Sequence, residues 1–138
     1  MNEESSSPPI FHLLLSEKFF IGKIDPAIQA LGWEGRVPDW DGDLLGQLTA
    51  PGSIGAVLDL EDENRDNLLL AKELRENKLT ANLPILAYSS HEREDLLDAA
   101  REIGVTVVIR STFAANLVRV LMELVGMSTQ QEPGDGVA

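Results

Sequence analysis

Four short apolar runs and one weaker strand-like segment, each followed by a helix-forming stretch, constrain this chain more than anything else in it. They lie at residues 10–15, 33–37, 54–60, 84–88 and 105–109. Most are continuous rather than alternating, the pattern of strands buried on both faces. A helical pattern over 19–31 follows the first run; Pro26 is expected to kink or restart it, and Gly32 to form its C-cap. The second run is weak, broken by Gly35 and stopped by Pro38. Asp39 or Asp41 can then cap a short helix reaching Leu48, and Pro51-Gly52 marks a turn. Residues 66–75 form the next helix, with Leu70, Ala71 and Leu74 on one face. Ser90 can cap the one after, whose first turn carries Glu92, Glu94 and Asp95. That helix is expected to bury Leu96, Ala99, Ala100 and Ile103 and to stop at Gly104, and a last helix covers 114–125. Strict alternation of strand and helix, (βα)5, gives a parallel sheet with helices on both faces.

The ends read differently. Residues 1–9 and 127–138 are rich in Ser, Pro, Gly, Gln and acid, and bury too little apolar surface to offset the entropy of ordering. One folded domain is therefore expected at 10–126, between two disordered tails, without a solenoid repeat. The absence of Cys excludes disulfides, thiolate nucleophiles and Cys-ligated metals, and His12 and His91 are too few for a three-His site. With 23 acidic against 11 basic residues the net charge is −12, which argues against nucleic-acid and anionic-membrane partners. No apolar run nears the ~20 residues of a membrane span. Met1-Asn2-Glu3-Glu4 lacks the basic start of a signal peptide, so a cytoplasmic location is expected. The acidity is local. The tails hold Glu3, Glu4, Glu132 and Asp135 without a base, and residues 59–66 hold Asp59, Glu61, Asp62, Glu63 and Asp66 against Arg65.

In a parallel sheet of this kind the C-terminal strand ends share one edge, and ligands bind there. The residues just after the strands are Ser16-Glu17, Asp59, Ser89-Ser90 and Arg110-Ser111: carboxylates, hydroxyls and a cation. Ser16-Glu17-Lys18-Phe19 is no Gly-rich phosphate cradle. A Ser89–His91–Asp59 triad is not expected, because Ser and His two apart on one turn set poor nucleophile–base geometry. His91 reads as a surface residue and His12 as a hydrogen-bonded strand residue. Glu61-Asp62-Glu63 reads as a solvated loop without EF-hand spacing. In the last helix Leu117, Val120, Leu121 and Leu124 form a stripe for the sheet. Val118, Met122 and Val125 form a second stripe that suggests a partner.

Three segments carry a resemblance: Ala56-Val57-Leu58-Asp59-Leu60, Pro84-Ile85-Leu86-Ala87-Tyr88-Ser89-Ser90, and Gly104 through Val108-Ile109-Arg110 to Phe113. Together they resemble the receiver domain of two-component response regulators. Leu31-Gly32-Trp33-Glu34 and Asp41-Gly42-Asp43-Leu44-Leu45 resemble its second strand and helix. The resemblance implies a flavodoxin-like, doubly wound five-stranded parallel sheet of order 2-1-3-4-5. It also implies a stand-alone phosphorelay signalling module rather than an enzyme, working in trans with a kinase or output protein. By position, Asp59 matches the phosphoacceptor, Ser89 the hydroxyl that bonds the phosphoryl group, and Ser90 its small neighbour. Several positions depart from the family. Ser16 replaces one of two acids that hold Mg²⁺, leaving Glu17 with Asp59 as the metal pair. The expected Lys falls on Ser111, with Arg110 one place earlier, and a forked guanidinium does not reproduce an ammonium point charge. Val107 and Val108 stand where an aromatic switch belongs, and the acidic run replaces a loop proline. These departures imply a pseudo-receiver with degenerate phosphoacceptor chemistry. The family's subunit-pairing face extends to Val118, Met122 and Val125 as a homodimer surface. The residues alone leave open a flavodoxin-like domain with small-molecule or metal-dependent chemistry at the same edge. Against that stands a scarcity of aromatics to line a pocket: Phe 4, Trp 2 and Tyr 1.

Overall fold

The structure is a computed structural model that describes residues 7–126; the tail readings for 1–6 and 127–138 fall outside it. Its elements run β1 (Ile10–Leu14), α1 (Lys18–Ala30), β2 (Glu34–Arg36), α2 (Leu44–Leu48), β3 (Ser53–Asp59) and α3 (Asn67–Glu76). They continue with β4 (Ile85–Ser89), α4 (Glu94–Ile103), β5 (Thr106–Ile109), α5 (Arg110–Ala115) and α6 (Leu117–Leu124). The strands form one parallel sheet in the order β2-β1-β3-β4-β5, as the resemblance implies.

Side-chain alternation along each strand divides the core in two. Phe11, Leu13, Val57, Leu86 and Tyr88 face α1, α5 and α6, where they meet Phe20, Ile24, Ile28, Phe113 and Leu121. Leu14, Ala56, Leu58, Ile85 and Ala87 face the other way, against Leu48, Ala71, Leu74 and Ala100 of α2, α3 and α4. Both layers are apolar, which is why the runs are continuous. All five residues of β1 and of β4 are buried. Pro9, assigned to the N-terminal tail from sequence, is tied to the sheet: its carbonyl accepts the Glu34 amide at 2.7 Å.

Several local expectations are corrected. Pro26 does not restart α1, which runs through it as one helix. Gly22, four residues earlier, and Pro26 are both on the solvent side, so the carbonyl that loses its donor faces water. The cap of α2 is Asp43, which accepts from the Gly46 amide at 3.1 Å, not Asp39 or Asp41. Asp39 turns the preceding loop instead, accepting from the Asp41 amide. Ser90 does not cap α4, which begins after Arg93 with Glu94 and Asp95 in its first turn. Its buried face centres on Leu97 and Ala100, while Leu96, Ala99 and Ile103, expected to be buried, are half-buried at its margins. Gly104 ends α4 in the left-handed region, at φ 100°. The expected last helix is two, separated at Asn116 (φ −141°), whose side chain bonds back to the Thr112 carbonyl.

Candidate functional site

The C-terminal ends of β1, β3 and β5 open on a cleft of about 380 Å³ lined by Ser16, Glu17, Asp59, Glu61, Asp62 and Arg110, among others. Parallel register brings these residues together: Leu14 lies beside Leu58, Asp59 beside Tyr88, and Ser89 beside Ile109. Asp59, the last residue of β3, is only 6% exposed. Its Oδ1 accepts the Glu61 amide at 2.9 Å. Burial raises its carboxyl above the usual carboxylate range; that amide and Arg110 oppose the rise, while Asp62 and Glu61 reinforce it.

Arg110 follows β5 directly and reaches across the sheet edge. Its Nη2 donates to Glu17 Oε1 at 2.7 Å. The guanidinium lies 4.5 Å above the Phe20 ring and 5.9 Å from that of Tyr88, a cation on an aromatic floor. Burial works against its charge, yet the Glu17 pair together with Tyr88 and Asp59 leaves it more firmly protonated than an ordinary arginine. Burial, and then the Asp59 charge, hold the Tyr88 phenol protonated well beyond its ordinary range.

The acidic loop is not simply solvated, contrary to the sequence reading. Asp62 has a side chain only 1% exposed, 3.7 Å from Arg65. The Ser16 hydroxyl donates to Asp62 Oδ2 at 2.9 Å and accepts from Arg65 Nη1 at 2.9 Å. Arg65 in turn stacks on Trp40 at 3.6 Å. Glu61 Oε2 accepts both the Ser89 hydroxyl and the Ser90 amide, each at 2.7 Å. These bonds, the Ser90 amide foremost, hold the Glu61 carboxyl below its usual range. Glu61 and Glu63 are both exposed, but among the described residues only Glu63 of the three makes no side-chain hydrogen bond or ion pair.

Asn67 was missed from sequence. It is buried at the start of α3, and its Nδ2 donates to the carbonyls of Leu14 (3.1 Å) and Asp59 (2.9 Å). It thereby pins the ends of β1 and β3, the two strands that present Glu17 and Asp59. A buried amide among leucines at a helix start was the available signal, since such a side chain needs partners.

The structure thus gathers Glu17, Asp59 and Arg110 in one cleft and places Ser89 and Ser90 beside it, bonded to Glu61. Ser111 is exposed on α5 and does not line the cleft. His91 is exposed, and the Ser89 hydroxyl donates to a carboxylate rather than to a histidine. His12 is buried and bonded through Nε2 to the Ser53 hydroxyl at 2.8 Å. Of the second stripe on α6, Val125 packs against the core, leaving Val118 (40% exposed) and half-buried Met122 toward solvent.

A hard divalent cation suits oxygen donors, and Mg²⁺ commonly takes one or two carboxylates and fills the rest of its shell with water. Glu17 and Asp59 supply such a pair. Arg110 competes for Glu17, and among the described residues no three His, Asp or Glu side chains group to hold a metal by themselves. The donor set fits a two-carboxylate, water-completed site and nothing richer.

No protein-family model matches the sequence, and no curated protein sequence matches it. Solved structures do. A chain from Chloroflexus aurantiacus assigned to the response regulators is 18% identical, with a TM-score of 0.73 over 87% of this chain and 99% of that one. The phosphorylated cyanobacterial phytochrome response regulator A is 14% identical, with a TM-score of 0.71 over 91% and 96%. The receiver domain of a sensor histidine kinase from Pseudomonas aeruginosa, solved with magnesium in its active-site cleft, is 14% identical, with a TM-score of 0.70 over 87% and 99%. Sheet order, helix placement and these likenesses agree: the chain has the fold of response-regulator receiver domains.

Proposed function

We propose that this chain is a receiver-type signalling module whose output is a protein–protein contact made in trans, with a phosphoacceptor site at Asp59 that has become degenerate. The observation that carries the reading is one of position. A buried carboxylate ends β3, a hydroxyl ends β4 and a cation follows β5, all on one sheet edge. Transfer of a phosphoryl group to Asp59 would have a carboxylate oxygen attack phosphorus as the bond to the leaving oxygen breaks, adding negative charge beside Glu61 and Asp62. Such a step is driven by positioned positive charge and donors. Here both are committed elsewhere: Arg110 is paired with Glu17, and Ser89 with Glu61. Glu17 and Asp59 would hold Mg²⁺, which when bound supplies charge compensation for phosphoryl oxygens. The acidic surplus supports a protein partner rather than nucleic acid. A small-molecule pocket is less well supported, since acids line most of the cleft wall.

The test is mass spectrometry after incubation with Mg²⁺ and acetyl phosphate, together with fluorescence on adding beryllium fluoride, using Asp59→Asn as the blank. Wild type is expected to gain no phosphoryl mass and to show no change. A stoichiometric adduct at Asp59 would overturn the degenerate reading.

The same reading assigns Val118 and Met122 to a homodimer face on α6. Sedimentation velocity across a concentration series should show self-association in wild type and its loss in Met122→Glu. A wild type that stays monomeric at the highest concentration contradicts the assignment.

A further inference from the structure

We propose that Glu61 is a built-in occupant of an anion subsite made by the Ser89 hydroxyl and the Ser90 amide, fixing the loop between β4 and α4 in its anion-bound arrangement. Both donors converge on a single atom, Glu61 Oε2, at 2.7 Å each. Two short bonds from a hydroxyl and an amide to one charged oxygen are charge-assisted, and stronger than neutral ones. Ser89 is fully buried, so without an acceptor its hydroxyl would stand unpaired at the end of β4, which is unfavourable.

Glu61 also grips the other side of the cleft. Its own amide donates to Asp59 Oδ1 at 2.9 Å, so one residue spans from the β3 carboxylate to the β4 donors. Arg93, at the start of α4, adds favourable positive charge. A group arriving on Asp59 would have to evict Glu61 before reaching Ser89, and it would bring negative charge against one already seated there. The loop therefore has its anion without any transfer to Asp59. The structural assignment stands by itself. Its consequence, a module set permanently in one signalling state, rests on the receiver reading above.

The test is amide hydrogen exchange and NMR on the full chain, with sodium formate as the probe anion. In Glu61→Ala the Ser90 amide should exchange about ten- to a hundredfold faster than in wild type, the loss corresponding to one charged hydrogen bond. Formate, a detached carboxylate, should return the Ser89 and Ser90 resonances toward their wild-type positions. Ser89→Ala removes the second donor to Glu61 Oε2 but leaves the Ser90 bond in place, so it should speed Ser90 exchange by less than Glu61→Ala does, which guards against a fault peculiar to the Glu61 variant. Unchanged Ser90 exchange in both variants would overturn the proposal. So would faster exchange that formate does not reverse, since Glu61 would then be a tether and not the occupant of an anion site. A beryllium fluoride adduct on wild-type Asp59 would sink the degenerate reading of the acceptor while leaving a positive formate result, and the Glu61 assignment, intact.

Discussion

Truncating Phe20 to Ala is expected to lower the unfolding free energy by about 3–5 kcal/mol, a large share of the ~5–15 kcal/mol that keeps a domain folded. Phe20 is 1% exposed on the inner face of α1. It meets Tyr88 edge-on with centroids 5.0 Å apart and Phe113 at 5.9 Å, so its loss opens a cavity between α1, the sheet and α5. Close packing leaves little room for collapse around such a hole. The same ring carries Arg110 on its face at 4.5 Å, so the core and the cleft share this side chain. Phe20→Leu separates the two roles. It keeps most of the apolar volume but loses the cation–π contact, worth about 0.5–1 kcal/mol at a partly exposed site. Urea unfolding followed by tryptophan fluorescence measures both. A cost below about 1 kcal/mol for the alanine variant would contradict the packing described.

Acidification should destabilise the fold through His12 before the carboxylates contribute. His12 lies in β1, 1% exposed, and burial, followed by the charge of Arg36, lowers its pKa from 6.5 to about 4. The folded state therefore binds this proton less readily than the unfolded chain. The stabilisation is full above pH 6.5, falls as the unfolded imidazole takes up its proton, and is lost once pH passes through about 4. At roughly 1.4 kcal/mol per pH unit this amounts to about 3 kcal/mol, about two-thirds of it lost by pH 5. His12→Asn keeps a polar partner for Ser53 and removes the titration. Urea midpoints for the two proteins at pH 7.5 and pH 5 give the comparison. Equal acid sensitivity in both would show that His12 is not the group responsible.

Much of this was legible in the chain. The central strands β1, β3 and β4 are continuous apolar runs because helices cover both sheet faces, and that periodicity is a local property of sequence. Asp59 could be placed for the same reason: it is the first charge after IGAVL, where a buried strand must end. Capping and helix phase were less legible. Asp39, Asp41 and Asp43 are equivalent on paper, and only the path of the loop after Pro38 decides that Asp43 meets the Gly46 amide. Pro26 reads as a helix breaker, yet α1 runs through it, and the Gly22 carbonyl that loses its donor faces solvent. The break at Asn116 is accompanied by a bond from its side chain to the carbonyl of Thr112, which apolar spacing cannot reveal.

By itself the sequence determined the alternating architecture, the parallel sheet, the two-layered core and the edge on which carboxylates, hydroxyls and a cation gather. These follow from hydrophobic periodicity and strand direction, which act over a few residues. Only the tertiary structure decided which charge meets which. Arg110 pairs with Glu17 across 93 positions, Arg65 with Ser16 across 49, and Ser89 with Glu61 across 28. Such pairings depend on distances of a few ångströms between separate loops, and on the desolvation each charge meets there. The acidic run after Asp59 thereby changes from a solvated stretch into the carboxylates that occupy the site's own donors.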